Sequence, residues 1–92
     1  MPTVSWFYGI SIRLFFNDHA PAHFHAIHEG SEAIISIESG EILRGSLPPA
    51  AKRLVREWTL RYSADLMTNW QSARAGSRLP MQRIPGLDAD DE

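Results

Sequence analysis

The chain has 92 residues and a mass of 10.4 kDa, which is enough for one small domain and too little for a two-domain enzyme. Hydrophobic residues make up 43% and charged residues 22%, so the composition is that of a globular protein rather than a disordered one. Cysteine is absent, which excludes disulfides, thiolate metal sites and cysteine nucleophiles. The net charge of −2 hides a segregation, because residues 1–47 and 79–92 are acidic and residues 48–78 are basic.

The sequence contains neither a predicted membrane-spanning segment nor a predicted signal peptide. No apolar stretch approaches the roughly 18 to 20 residues that a membrane span needs, so we expect no membrane partner. Residues 1–5 also lack the basic region that opens a signal peptide. We therefore expect a cytoplasmic protein.

The first half of the chain has the period-two pattern of β-strands. In the first strand this alternation places Val4, Trp6 and Tyr8 on one side and Ser5 and Phe7 on the other. The connections are too short for parallel crossovers, so the strands should be antiparallel neighbours. The strands are predicted at about residues 4–8, 10–16, 23–28, 32–38 and 42–45.

The second half changes to helical spacing after Pro48 and Pro49, which suit a helix entry. Ser63 is placed to cap a second helix that ends near Gly76. One long bent helix is the alternative, because large apolar residues repeat every four positions across Ser63. Those residues are Trp58, Tyr62, Leu66 and Trp70.

Together these patterns predict an α+β fold. It consists of an antiparallel sheet of about four to five strands, packed by one long or two shorter C-terminal helices. We assign residues 1–78 to a single domain. Residues 79–92, which contain Pro80, Pro85-Gly86 and a terminal acidic run, are expected to form a flexible acidic tail.

A cluster of histidines is the densest chemical signal, since all four lie within ten positions. On a strand, His23 and His25 project from the same face, whereas Phe24 and Ala26 project from the other. The two apolar residues suit the core. The histidine pair should therefore lie on the outer face of the sheet.

A metal site is one use of this pair. Two imidazoles at this spacing can share a Zn²⁺ or Ni²⁺ ion, with Asp18 or His19 from the adjoining loop as a third ligand. Apart from such a divalent transition metal, no cofactor is expected. An isolated His-x-His is common, so the spacing alone does not identify a metal centre.

Acid–base catalysis on RNA is a second use. One of His23 and His25 could deprotonate a 2′-hydroxyl and the other protonate the leaving oxygen, while Arg13 on the facing strand stabilises phosphate charge. Binding of an anion without chemistry is a third use. The structural alternative is that the histidines are half-exposed strand residues whose ring nitrogens form hydrogen bonds and have no further function.

The first predicted helix carries a basic face that could contact an anionic partner such as RNA. A solvated helix face with pairs at i,i+4 is the commoner explanation of such a pattern. The basic residues are Lys52, Arg53, Arg56 and Arg61.

Several sequence blocks, in order, resemble the small bacterial domain-of-unknown-function family numbered 4160 over about residues 2–80. The blocks are residues 5–10, 17–26, 45–48, 54–58 and 69–70. Two positions depart from the family pattern: Ala22 replaces an expected proline, and His28 replaces an expected aromatic residue. The second departure makes His28 a poor candidate for a shared site.

The resemblance implies a gene encoded beside another small domain of unknown function, in an arrangement like a toxin–antitoxin pair. We therefore expect an interaction module whose partner is a cognate small protein, with a homodimer through a sheet edge as another possibility. A small ribonuclease-like enzyme that uses the His-x-His pair is the first alternative. A metal-binding protein that uses the same histidines is the second.

Overall fold

A computed structural model describes residues 3–15, 19–74 and 82–88. Within them the chain forms five strands followed by two helices, which confirms the predicted α+β fold. The strands are β1 (Thr3–Phe7), β2 (Ile10–Arg13), β3 (His23–His28), β4 (Ser31–Ser36) and β5 (Ile42–Gly45). The helices are α1 (Pro49–Arg61) and α2 (Ser63–Arg74).

The five strands form one sheet in sequence order, and every neighbouring pair is antiparallel. Two of the connections are two-residue turns in which both residues have positive φ. These angles are 49° and 76° at Tyr8 and Gly9, and 46° and 85° at Glu29 and Gly30. Turns of this kind match the right-handed twist of the flanking strands, so they hold the hairpins in register.

A β-bulge in β1 changes which residues of this strand face the core. Thr3 pairs with Arg13 and Ser5 with Ile12, so Val4 is an extra residue between them. As a result Val4 is buried, while Trp6 is 60% exposed. The alternation that placed these two on the same side is wrong, because a simple period of two does not anticipate a bulge.

The helical region divides into two helices at Tyr62, whose φ of −114° and ψ of 25° interrupt the helix. The amide of Tyr62 still donates to the carbonyl of Trp58, and the amide of Leu66 donates to the carbonyl of Tyr62. Two shorter helices are therefore confirmed over one long helix.

The core lies between the helices and one face of the sheet, here called the inner face. The fully buried ring of Trp58 in α1 lies 5.3 Å from that of Phe7 and 5.7 Å from that of Phe24, measured between centroids. Buried side chains from all of β1 to β4 complete this core, among them Ile10, Ile12, Ala26, Ala33 and Ile35. The helices thus cover one face and leave the opposite, outer face to other contacts.

Residues 82–88 lie against the domain, although they fall within the predicted acidic tail. Ile84 is 4% exposed, and its amide donates to the carbonyl of Val4 over 2.8 Å. Proline, glycine and acidic residues predict a tail by composition, whereas two apolar side chains, Ile84 and Leu87, pack against the core here. Residues 79–81 and 89–92 lie outside the described residues.

No helix in the described ranges is both long and apolar enough to cross a membrane.

Two glycines with nearly the same φ should respond differently to alanine. At Gly30 (φ 85°) an added Cβ meets nothing within 4 Å, so we expect Gly30→Ala to cost only the left-handed strain of about 1 kcal/mol. At Gly45 (φ 83°) the added Cβ would collide with the carbonyl oxygen of Glu32 and lie 3.1 Å from Cα of Ala33. We expect Gly45→Ala to lose at least about 2 kcal/mol more, measured by urea unfolding, and equal losses would contradict this packing.

Candidate functional site

The outer face of the sheet carries the candidate site. Because side chains alternate along β3, Phe24 and Ala26 are fully buried in the core, and His23 and His25 lie half-buried on the outer face. This is the orientation that the sequence pattern predicts for the pair. We call the surface formed by Arg13, His23, His25 and Glu32 the histidine face.

The strand register places Arg13 beside the histidines. Arg13 of β2 is directly opposite His25 of β3, so their side chains lie on the same face of the sheet. The Nε atom of Arg13 is buried, and no hydrogen-bond partner for it occurs within the described part of the chain. The strand register alone therefore places Arg13 and His25 side by side on this face.

Glu32 determines the orientation and the tautomer of His25. Nδ1 of His25 donates to Oε2 of Glu32 over 2.9 Å, because a carboxylate accepts hydrogen bonds. The proton of the neutral ring thus lies on Nδ1, and Nε2 carries the lone pair. The edge-on ring of Phe15, 4.3 Å away between centroids, packs against the imidazole.

His23 has the same tautomer for a different reason. Its Nδ1 donates to the carbonyl oxygen of Pro21 over 2.7 Å, and a carbonyl oxygen can only accept. The ring lies 5.1 Å from that of Trp70 in α2 and 5.6 Å from that of His25, between centroids. Two neighbouring imidazoles therefore each have Nε2 as their basic or metal-ligating atom.

The other two histidines have different surroundings. His28 donates from Nδ1 to the carbonyl oxygen of Gly9 over 3.2 Å, which ties it to the β1–β2 turn. His19 is exposed in the loop before β3.

The metal-site prediction rests on Asp18, His19, His23 and His25. Asp18 lies outside the described residues, and among those that are described no three His, Cys, Asp or Glu side chains are placed to hold a metal ion. The chemistry of the pair is nevertheless suitable, since metal-binding histidines usually donate their other ring N–H to a carboxylate or a backbone carbonyl. A Zn²⁺ or Ni²⁺ site at His23 and His25 stays a prediction.

The basic face of α1 lies apart from the histidine face, on the side of the helix that points away from the sheet. Lys52 and Arg53 are exposed there. Arg56 pairs with Glu41 at 3.0 Å, and the Arg61 guanidinium lies 5.6 Å from the centre of the Tyr62 ring. Half of this basic set is therefore engaged within the domain, and the structure does not bring it together with the histidines.

Sequence reasoning missed Glu32 and Trp70 as neighbours of the histidines. The two-residue turn at Glu29 and Gly30 sets His28 opposite Ser31, which places Glu32 opposite Ile27 and diagonal to His25. Counting back from this turn could have identified Glu32. Trp70 had no comparable signal, because its contact depends on how α2 packs.

These observations define a small α+β domain with helices on one face of its sheet and a histidine–arginine–glutamate surface on the other. Its sequence matches the family described as domain of unknown function (DUF4160) over residues 9–71, and the chain belongs to that family. The four residues of the histidine face all fall within this matched range. No curated protein and no solved structure matches the chain.

Removal of the Glu32 carboxylate should release His25 but not His23. In Glu32→Ala we expect the population of the Nδ1–H tautomer of His25 to fall, because the carboxylate that accepts this proton is removed. His23 keeps the carbonyl of Pro21 and serves as the internal control. Long-range proton–nitrogen correlation spectra report both tautomers, and an unchanged His25 spectrum would contradict the role of Glu32.

Proposed function

We propose that this protein is an interaction module, one member of a toxin–antitoxin-like pair, and that it binds a small protein partner in the cytoplasm. The observation that carries the proposal is the β1–β2 hairpin, which presents two large aromatic residues to solvent. Trp6 is 60% exposed and Tyr8 is 50% exposed. Tryptophan and tyrosine are the side chains that most often dominate the free energy of protein–protein binding.

The hairpin lies at an edge of the sheet, where a partner can approach from the side. Trp6 pairs with Ser11, which pairs with Ile27, which pairs with Glu32, so these residues form one row on the outer face. The exposed tryptophan is thus continuous with the histidine face. A partner that covers Trp6 would extend over the same surface, which α2 borders through the contact of Trp70 with His23.

The proposal that this protein belongs to a toxin–antitoxin-like pair is supported by the family resemblance. Family membership is established over residues 9–71, and the expected gene arrangement suggests that the product of the neighbouring gene is the partner. A homodimer through the same hairpin is the other outcome that a binding experiment would detect.

Truncation of the aromatic pair should weaken partner binding. We expect Trp6→Ala with Tyr8→Ala to raise the Kd for the co-expressed neighbouring gene product at least about tenfold, measured by calorimetry. Stability should change little, because both side chains are largely exposed.

Leu60→Ala is the matched control, because Leu60 is 55% exposed but lies on α1, away from the hairpin. We expect its Kd to remain within about twofold of the wild-type value. An equal loss in both variants, or no loss in the hairpin variant, would contradict this interface.

Cleavage of RNA is the second candidate function, and the fixed tautomers of His23 and His25 favour it. Nε2 of one neutral imidazole would accept the proton of a 2′-hydroxyl as its oxygen attacks phosphorus. The other imidazole, protonated, would donate to the departing 5′-oxygen, leaving a 2′,3′-cyclic phosphate. Arg13 beside His25 would stabilise the charge that develops on the phosphate.

If the protein cleaves RNA, His25→Ala should lower the cleavage rate about 100-fold or more, because it removes one of the two proton-transfer groups. The measurement is the cleavage rate of a fluorogenic oligoribonucleotide by protein purified to constant specific activity. Circular dichroism should show an unchanged fold.

The double variant Arg53→Glu with Arg56→Glu separates this site from the basic face of α1. Activity that survives the double variant but not His25→Ala would support the histidine face. The reverse result would move the function to the helix, and absence of cleavage by the wild-type protein would remove the enzyme candidate.

A further inference from the structure

Residues 82–88, which we call the C-terminal strap, occupy a groove between β1 and the two helices. Between the strap and the other described residues there are four hydrogen bonds, and in all four the strap uses main-chain atoms. Nε1 of Trp58 donates to the carbonyl of Pro85 over 2.8 Å, and the amide of Ile84 donates to the carbonyl of Val4 over 2.8 Å. Asn69 makes the other two bonds. The groove therefore recognises main-chain groups of the strap.

The side chain of Asn69 forms hydrogen bonds with both the amide and the carbonyl of a single strap residue, Gln82. Its Nδ2 donates to the carbonyl of Gln82 over 2.8 Å, and its Oδ1 accepts from the Gln82 amide over 2.9 Å. The side chain is only 2% exposed, and a buried amide is costly unless both ends are paired. Asn69 thus pairs with the main chain of Gln82 as a neighbouring strand residue would.

The strap also contacts the domain through side chains, since Leu87 packs partly buried against the core, and the steric demands are strictest at two other positions. Ile84 is buried against the core, which calls for an aliphatic residue. At Gly86 an added Cβ would lie 2.9 Å from Cβ of Phe7 and 3.1 Å from the carbonyl oxygen of Trp6, so the backbone approaches too closely for a larger residue. The pattern that fits is an aliphatic residue followed two positions later by glycine.

The family match includes groove residues but not the strap that occupies the groove. Trp58 and Asn69, which donate to the strap, lie within the matched residues 9–71, whereas the strap lies beyond them. The strap also passes against the backbone of Trp6, the residue proposed above as the anchor for a partner. The groove is therefore continuous with the proposed interface.

We propose that this groove is a peptide-binding site that the C-terminal strap fills within the chain, and that an extended segment of the protein partner can take its place. The partner segment would carry an aliphatic residue and a glycine at the spacing of Ile84 and Gly86. The existence of the peptide site is independent of the proposed function, whereas its use by a partner rests on it. Replacement is feasible because, within the described residues, the strap is anchored by one buried side chain, the partly buried Leu87 and four hydrogen bonds, and a segment with so few anchors can open locally.

A labelled peptide with the sequence of residues 80–90 tests the site directly. It competes with the strap, whose covalent attachment gives it an effective concentration in the millimolar range. In the full chain carrying Ile84→Asp, the buried aspartate expels the strap, and we expect the peptide to bind at least about 30-fold more tightly than to the wild type. A peptide with the same Ile84→Asp change is the matched control and should not bind.

Failure of the peptide to bind the folded Ile84→Asp chain would overturn the proposal. If that variant does not fold, hydrogen exchange on the wild-type chain decides instead. We expect the amide of Ile84 to exchange at least about 100-fold faster than the slowest amides of β3, through an opening that leaves the sheet intact. Equal rates for strap and sheet would overturn the proposal, because the strap would then open only by global unfolding.

The two proposals can fail separately. Peptide binding to the Ile84→Asp chain does not require Trp6 or Tyr8 side chains, so it should persist in the hairpin double variant. If the peptide binds but the neighbouring gene product does not, the groove stands and the proposed pair fails. If the partner binds equally to the wild-type and Asn69→Ala chains, the partner does not use the groove.

Discussion

The packing of Trp58 is the contact on which the rest of the domain depends. Its ring lies against Phe7 and Phe24 on two different strands, and its indole N–H reaches the carbonyl of Pro85. One side chain thus joins α1, the inner face of the sheet and the C-terminal strap. In a domain of this size, which buries only about two-thirds of its unfolded surface, a single large side chain that serves three elements supplies a substantial share of the core.

Because the helices take the inner face, the outer face is left for function. Along β3 the same alternation that sends Phe24 into the core sends His23 and His25 outward. The neighbouring strands then bring Arg13 and Glu32 to the pair, one by direct register and one diagonally. The result is a set of polar groups oriented by backbone pairing and by acceptors at Nδ1, which suits binding and proton transfer alike.

Two proposed binding surfaces meet at β1. Trp6 points its exposed ring outward, while its main chain lies beside the strap at Gly86. The β-bulge at Val4 matters here, because it turns Val4 inward and leaves its carbonyl to accept from Ile84. An edge strand is a natural docking place for another chain, and in this domain the strap pairs with part of that edge.

The alternation and turn residues of the sequence determined much of this protein by themselves: the class of fold, the extent of β3 and β5, the start of α1 and the outward direction of His23 and His25. These are local properties, since strand period, turn geometry and proline at a helix entry act over a few residues. The tertiary structure alone decided the burial of Val4 opposite an exposed Trp6, the contact of Trp70 with His23, and the docking of residues 82–88. Each of these depends on a bulge or on a contact between residues distant in sequence, and neither leaves a periodic signal in the chain.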